Sequence, residues 1–136
     1  MGPGSLYTSV IANLLIPDLR AALIKSRAQK IYVANIMMQS EETRGYGVHD
    51  HIEAIYAHLG VTSFFDTVFV NTQEIPAAHR QAYIKKENIG QSPVDFSRLY
   101  ALGVQVIGAD FLDMKADFVR HDALKLAAML FAHLID

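Results

Sequence analysis

Hydrophobic positions along this chain form two patterns that alternate: short apolar runs, and longer stretches spaced at three and four residues. The runs 31–36, 67–71 and 104–109 are short and mostly apolar, as strands covered on both faces require. Between them lie helical spacings. Leu6, Val10, Ile11 and Leu14 follow Ser5, which suits an N-cap. Pro17 opens a second helix with Leu19, Ala22 and Leu23 directed inward, and Lys25, Arg27 and Lys30 suit its C-terminal end. Val48, Ile52, Ile55, Tyr56 and Leu59 make one clean face, stopped by Gly60.

Beyond the second strand, Pro76 predicts the start of a more polar helix over 77–86, and 94–102 a short helical turn. Residues 112–121 read as irregular or partly extended. Asp122 then caps a final helix carrying Leu124, Ala127, Ala128, Leu130, Phe131, Leu134 and Ile135. That helix is apolar over a wide arc and is expected to dock heavily. Strand alternating with helix predicts an α/β fold with a mostly parallel sheet. Three strands are fewer than the usual five or six. A further strand ahead of Gly2 would complete the sheet, so an element upstream is expected.

Composition narrows the function classes. At 136 residues and 51% hydrophobic content the chain suits one domain with a real core. A net charge of −2 supplies no basic field, which argues against a nucleic-acid partner. With no cysteine, disulfides and thiolate metal sites are excluded, and a reducing cytoplasm fits. No apolar run reaches the roughly 18 residues of a membrane span, and the N-terminus has no export-signal pattern.

In a parallel sheet the ligand crevice lies beyond the carboxyl ends of the strands. Asn35, Asn71 and Asp110 stand at those ends and would share one rim, although Asn and Asp favour strand ends for local reasons as well. The turn Gly2-Pro3-Gly4-Ser5 before a helix offers amides and a positive dipole end to a phosphate, and equally serves as plain structure. It lacks the spacing of the Walker or dinucleotide loops. His49-Asp50-His51 lacks chelating i, i+4 spacing and reads as a capping cluster rather than a metal site. Glu41 and Glu42 in the loop read as solvated. No nucleophile with a base in a recognisable order is present. Tyr83 could stack on a base and Arg120 could hold a phosphate, with surface packing the alternative for both.

GPGSLYTSVIANLL, IYVANIMMQSEETRGYGVHDHIEAI, VFVN, ALGVQVIGADFLD and VRHDALKLA together resemble the gluconeogenesis factor family, the YvcK branch of the CofD-like proteins. The resemblance runs from Gly2 to the end. It implies a Rossmann-like three-layer fold within a cytoplasmic protein of about twice this length that binds nucleotide sugars of the UDP-N-acetylglucosamine type. That protein supports carbon-source-dependent growth and cell shape. No catalytic activity is firmly attached to that branch, and no cofactor is implied beyond a nucleotide or nucleotide sugar. The CofD branch transfers a phospholactyl group from a nucleotide-activated donor, which is the alternative. Carried over, the nucleotide-binding positions are Gly2, Pro3, Gly4, Ser5, Asn35, Gln39, Thr43, Asp50, His51, Asn71, Tyr83 and Arg120.

Where the family has Thr-Gln-Pro-Gly-Glu-Thr, this loop reads Met38-Gln39-Ser40-Glu41-Glu42-Thr43, and Arg44 replaces the Asp before Gly-Tyr. The family's N-terminal half has no counterpart here. A fragment or split gene is therefore expected, functioning as a homo-oligomer or paired with that half.

Overall fold

A computed structural model describes residues 1–113 and 118–135, apart from the side chains at 82, 83, 86 and 87. Its centre is a three-stranded parallel sheet in the order β1-β2-β3, with β1 at Ile31–Val33, β2 at Thr67–Asn71 and β3 at Gln105–Ala109. Val33 stands opposite Phe69, Phe69 opposite Ile107, and Asn71 opposite Ala109. All five residues of β2 are buried, which explains its uninterrupted apolar run: a central parallel strand has no wet face.

Alternate side chains leave the sheet in opposite directions, and helices cover both sides. Tyr32, Val68 and Val70 join the larger core with helix α1 (Leu6–Leu14), helix α3 (Val48–Leu59) and Leu99 of helix α5 (Phe96–Ala101). Val33, Phe69 and Phe111 form a smaller core with Leu126 of helix α6 (Ala123–Ile135). The expected α/β, Rossmann-like three-layer arrangement is present. Helix α3 follows its pattern closely: Val48, Ile52, Ile55, Tyr56 and Leu59 are all buried, and Gly60 ends it in the left-handed region. Asp95 caps α5 by accepting from Arg98 N, and Asp122 caps α6 by accepting from Lys125 N.

Several expectations are corrected. Strand β1 stops at Val33. Residues 36–38 leave the sheet and pair with 90–92 through Met38 N to Gly90 O (3.0 Å) and Ser92 N to Ile36 O (2.8 Å). Ser5 precedes α1 but makes no side-chain cap, and α1 opens as a wide π-type turn over Leu6–Ile11. Helix α2 (Pro17–Lys25) buries nothing: Leu19 and Ala22 are exposed and only Leu23 touches the core. Helix α6 does not dock heavily either. Leu126 is buried, yet Leu124 is 84% and Ile135 83% exposed, with Phe131 and Leu134 also outward. The segment read as irregular or partly extended is extended at both ends, where β4 (Leu112–Asp113) pairs antiparallel with β5 (Arg120–His121). Helix α4 spans Ala77–Glu87, with Pro76 as its cap.

Met1 runs beside β1 as a parallel strand would, donating to Ile31 O (2.7 Å) and accepting from Val33 N (2.9 Å). Gly2 then turns so tightly that a Cβ would sit 2.6 Å from Val33 O, with φ at 70°. Only glycine fits there. No single described helix is long and apolar enough to cross a membrane; α1 and α2 together reach that length only as a pair bent by 81°.

Candidate functional site

Because the strands run parallel, β1, β2 and β3 all end at one edge, and the turns leaving that edge enclose a hollow of about 350 Å³. The turn before α1 forms one wall with Pro3, Gly4 and Ser5. The segment after β1 forms the floor with Asn35 and Gln39, and β5 closes the side with Arg120 and His121.

Asn35 fixes the turn. Its Oδ1 accepts from Gly4 N at 3.0 Å and its Nδ2 donates to Gly4 O at 2.8 Å, so the amide locks the backbone rather than facing outward. Gln39 Nε2 donates to Ser5 Oγ at 2.7 Å, leaving the Ser5 proton free to donate elsewhere. Gln39 Oε1 is buried with no partner among the described residues, a costly state for a polar atom. Thr43 is fully buried and closes the loop below: its Oγ1 accepts from Gln39 N, and its N–H donates to Gln39 O.

Arg120 is exposed and stands opposite Asp113 across the β4–β5 pair, and among the described residues lining the cavity there is no carboxylate. His121 Nε2 lies 3.1 Å from Ala34 O, and a ring nitrogen facing a carbonyl must carry the proton. Burial lowers the His121 pKa below its ordinary value, with the Ala34 bond opposing.

Other expected site residues stand outside this hollow. Gly2 shapes the turn from behind. Asp50 accepts from Gly47 N at 2.7 Å and lies 3.2 Å from His49 Nε2 at the start of α3. His51 is buried against the Tyr32 hydroxyl at 3.1 Å, its pKa lowered chiefly by burial while Asp50 raises it. Asn71 ties two strand ends together, donating to Gln73 O and accepting from Phe111 N, and it lines a neighbouring hollow. Asp110 accepts from Leu112 N and meets Lys125. Asn35, Asn71 and Asp110 thus share an edge without converging on one cavity. Tyr83 falls on α4, and its side chain lies outside the described residues.

Two residues were not anticipated. Glu42, read as solvated, reaches across to α1: Oε2 accepts from Tyr7 N at 3.2 Å and Oε1 from Thr8 Oγ1 at 2.6 Å. The chain's own carboxylate thus occupies part of the helix start expected to meet phosphate. His121 was the other, at the end of a stretch read as irregular or partly extended.

Together these features define an α/β protein of the Rossmann-like class with a polar crevice at the carboxyl edge of its parallel sheet. The sequence model of the family described as 2-phospho-L-lactate transferase CofD matches residues 1–112, and the chain belongs to that family. It is 41% identical over 132 residues to the gluconeogenesis factor of Bacillus subtilis, covering 96% of this chain and 40% of that protein. The gluconeogenesis factor of Listeria innocua is 39% identical over 134 residues, covering 98% and 40%. A crystal structure of a Bacillus halodurans protein superposes with a TM-score of 0.89 at 40% identity, covering 96% of this chain and 41% of that one. The chain therefore spans about two fifths of the length of the relatives it matches.

Proposed function

We propose that this chain binds a nucleotide sugar of the UDP-N-acetylglucosamine type and acts as a non-catalytic regulatory protein in the cytoplasm, linked to carbon metabolism and cell shape. The observation that carries this reading is the hollow in which Arg120, the cross-strand neighbour of Asp113, shares the lining with the Ser5 hydroxyl and with a Gln39 carbonyl that has no partner among the described residues. Arginine and hydroxyl donors suit phosphate oxygens, and a buried amide carbonyl awaits a hydroxyl or N–H donor. The gluconeogenesis-factor names of the relatives support the metabolic role. The outward apolar residues of α6 and the strand lane beside β1 support pairing with a second copy or with the family's N-terminal half.

Calorimetry with UDP-N-acetylglucosamine tests the reading. Heat of binding is expected from the wild type and its loss from Arg120→Ala, with the unfolding midpoint unchanged. No heat at millimolar ligand would instead favour a domain that binds only within an assembly.

The description of the matched family favours a second reading, a transferase acting on a nucleotide-activated donor. Incubation with the nucleotide sugar and Mg²⁺ separates the two, since release of UDP would identify a transferase or hydrolase.

A further inference from the structure

A second hollow, of about 420 Å³, opens at the same sheet edge on the far side of the ribbon formed by 36–38 and 90–92. Its lining differs in kind from the first. Phe96 offers a half-exposed ring, tilted against Tyr100 with centroids 6.3 Å apart. The ring reaches toward bare backbone at Gly108, where a Cβ would lie 3.9 Å from Phe96 Cζ and 2.6 Å from Thr72 Cγ2. The absent side chain is what lets Thr72 settle there.

Ser92 lines the same space, is 4% exposed, and its Oγ has no partner among the described residues. Arg80 and Glu74 both contribute, so opposite charges share this hollow. Where Arg120 favours an anion, this cavity favours an uncharged group with a flat face and hydrogen-bonding edges.

We propose that the second hollow seats the nucleobase of the bound ligand, its ring over Phe96 and its polar edge toward Ser92 and Thr72, while the phosphates lie against Arg120. The assignment rests on the nucleotide-sugar reading and extends it to a subsite. Ile36, Met37 and Met38 line the first hollow, and Gln91 and Ser92 line the second, so the ribbon is the shared wall that a diphosphate-linked ligand would cross. Asn71 and Gln91 are already engaged with backbone around Gln73 and Ile75, and they hold the wall rather than the ligand.

The test compares inorganic pyrophosphate with uridine 5′-diphosphate by calorimetry. Phe96→Leu is expected to weaken uridine diphosphate on the order of tenfold, the usual loss when an aromatic partner of a base is removed. It should leave pyrophosphate unchanged, and Phe96→Tyr should restore the wild-type ratio. Ser92→Ala should weaken the nucleotide without lowering the thermal midpoint, because the hydroxyl has no partner to lose among the described residues. Arg120→Ala should weaken both ligands together. If Phe96→Leu leaves the ratio of the two affinities untouched, the base sits elsewhere and the inference falls, while the phosphate reading stands. If the wild type binds neither ligand, both fall.

Discussion

Glu42 Oε1 lies 2.6 Å from Thr8 Oγ1, and the other oxygen of the same carboxylate accepts from Tyr7 N. One side chain thus joins the loop after β1 to the start of α1. A carboxylate at a helix start offsets unpaired amides and the dipole together. Glu42→Ala is expected to cost about 1–2 kcal/mol, the range of a lost helix cap. Thr8→Ala should cost less alone, and the two losses should be less than additive in a double-mutant cycle read by urea unfolding.

Asn35 makes two bonds to one residue, so its amide cannot be replaced by either half of its chemistry. Asn35→Asp keeps the acceptor for Gly4 N but turns an oxygen toward Gly4 O. Asn35→Ala leaves both backbone groups without their partner. Each variant should lose about 1–3 kcal/mol, and amide exchange at Gly4 should quicken. Unchanged exchange would show that the turn holds itself.

Acid should weaken the fold through two rings. His51 and His121 both have folded-state pKa values below 6.5, chiefly because burial disfavours the charged imidazole. As pH falls through 6.5 the unfolded chain takes up protons first. Stability is therefore greatest above that value and declines below it, until the folded rings protonate as well. Urea midpoints across this range should drop toward acid. His121→Asn, which can still donate to Ala34 O, should flatten the slope.

Helix α6 separates buried from exposed leucines within one turn. Leu126→Ala should destabilise by about 2–4 kcal/mol, whereas Leu124→Ala, at 84% exposure, should stay within about 0.5 kcal/mol. Equal losses would mean that the outer face is covered in solution, and light scattering would then report the partner copy.

The same helix shows where the sequence stopped being informative. In α3 the apolar stripe and its polar back are both written in the spacing from Val48 to Leu59, so direction and burial are legible together. In α6 apolar residues occupy most of the circumference, and nothing local says which of them meets the sheet. The smaller core takes Leu126, Met129 and Leu130 and leaves the rest outward. At the site, the strand-end rule located Asn35, and the turn before α1 located Gly4 and Ser5. Glu42 was not legible, because its partners lie 34 and 35 residues away and adjacent loop acids look alike until the chain is folded. His51 was read as part of a capping cluster, and as a binding position through the resemblance; its contact with the Tyr32 hydroxyl is one that no short-range pattern reveals.

Behind the loop, the hydroxyls of Tyr7 and Tyr46 face each other at 3.0 Å. The bond from Tyr46 is the main reason that Tyr7 is pushed up to about 12, with desolvation and the nearby Glu42 charge adding to it. Tyr7 is therefore a late absorber in an alkaline spectrophotometric titration. Its delayed phenolate band, separated from that of the buried Tyr32 by comparison with Tyr7→Phe, gives an optical reporter, needing no label, of whether the loop after β1 stays joined to α1.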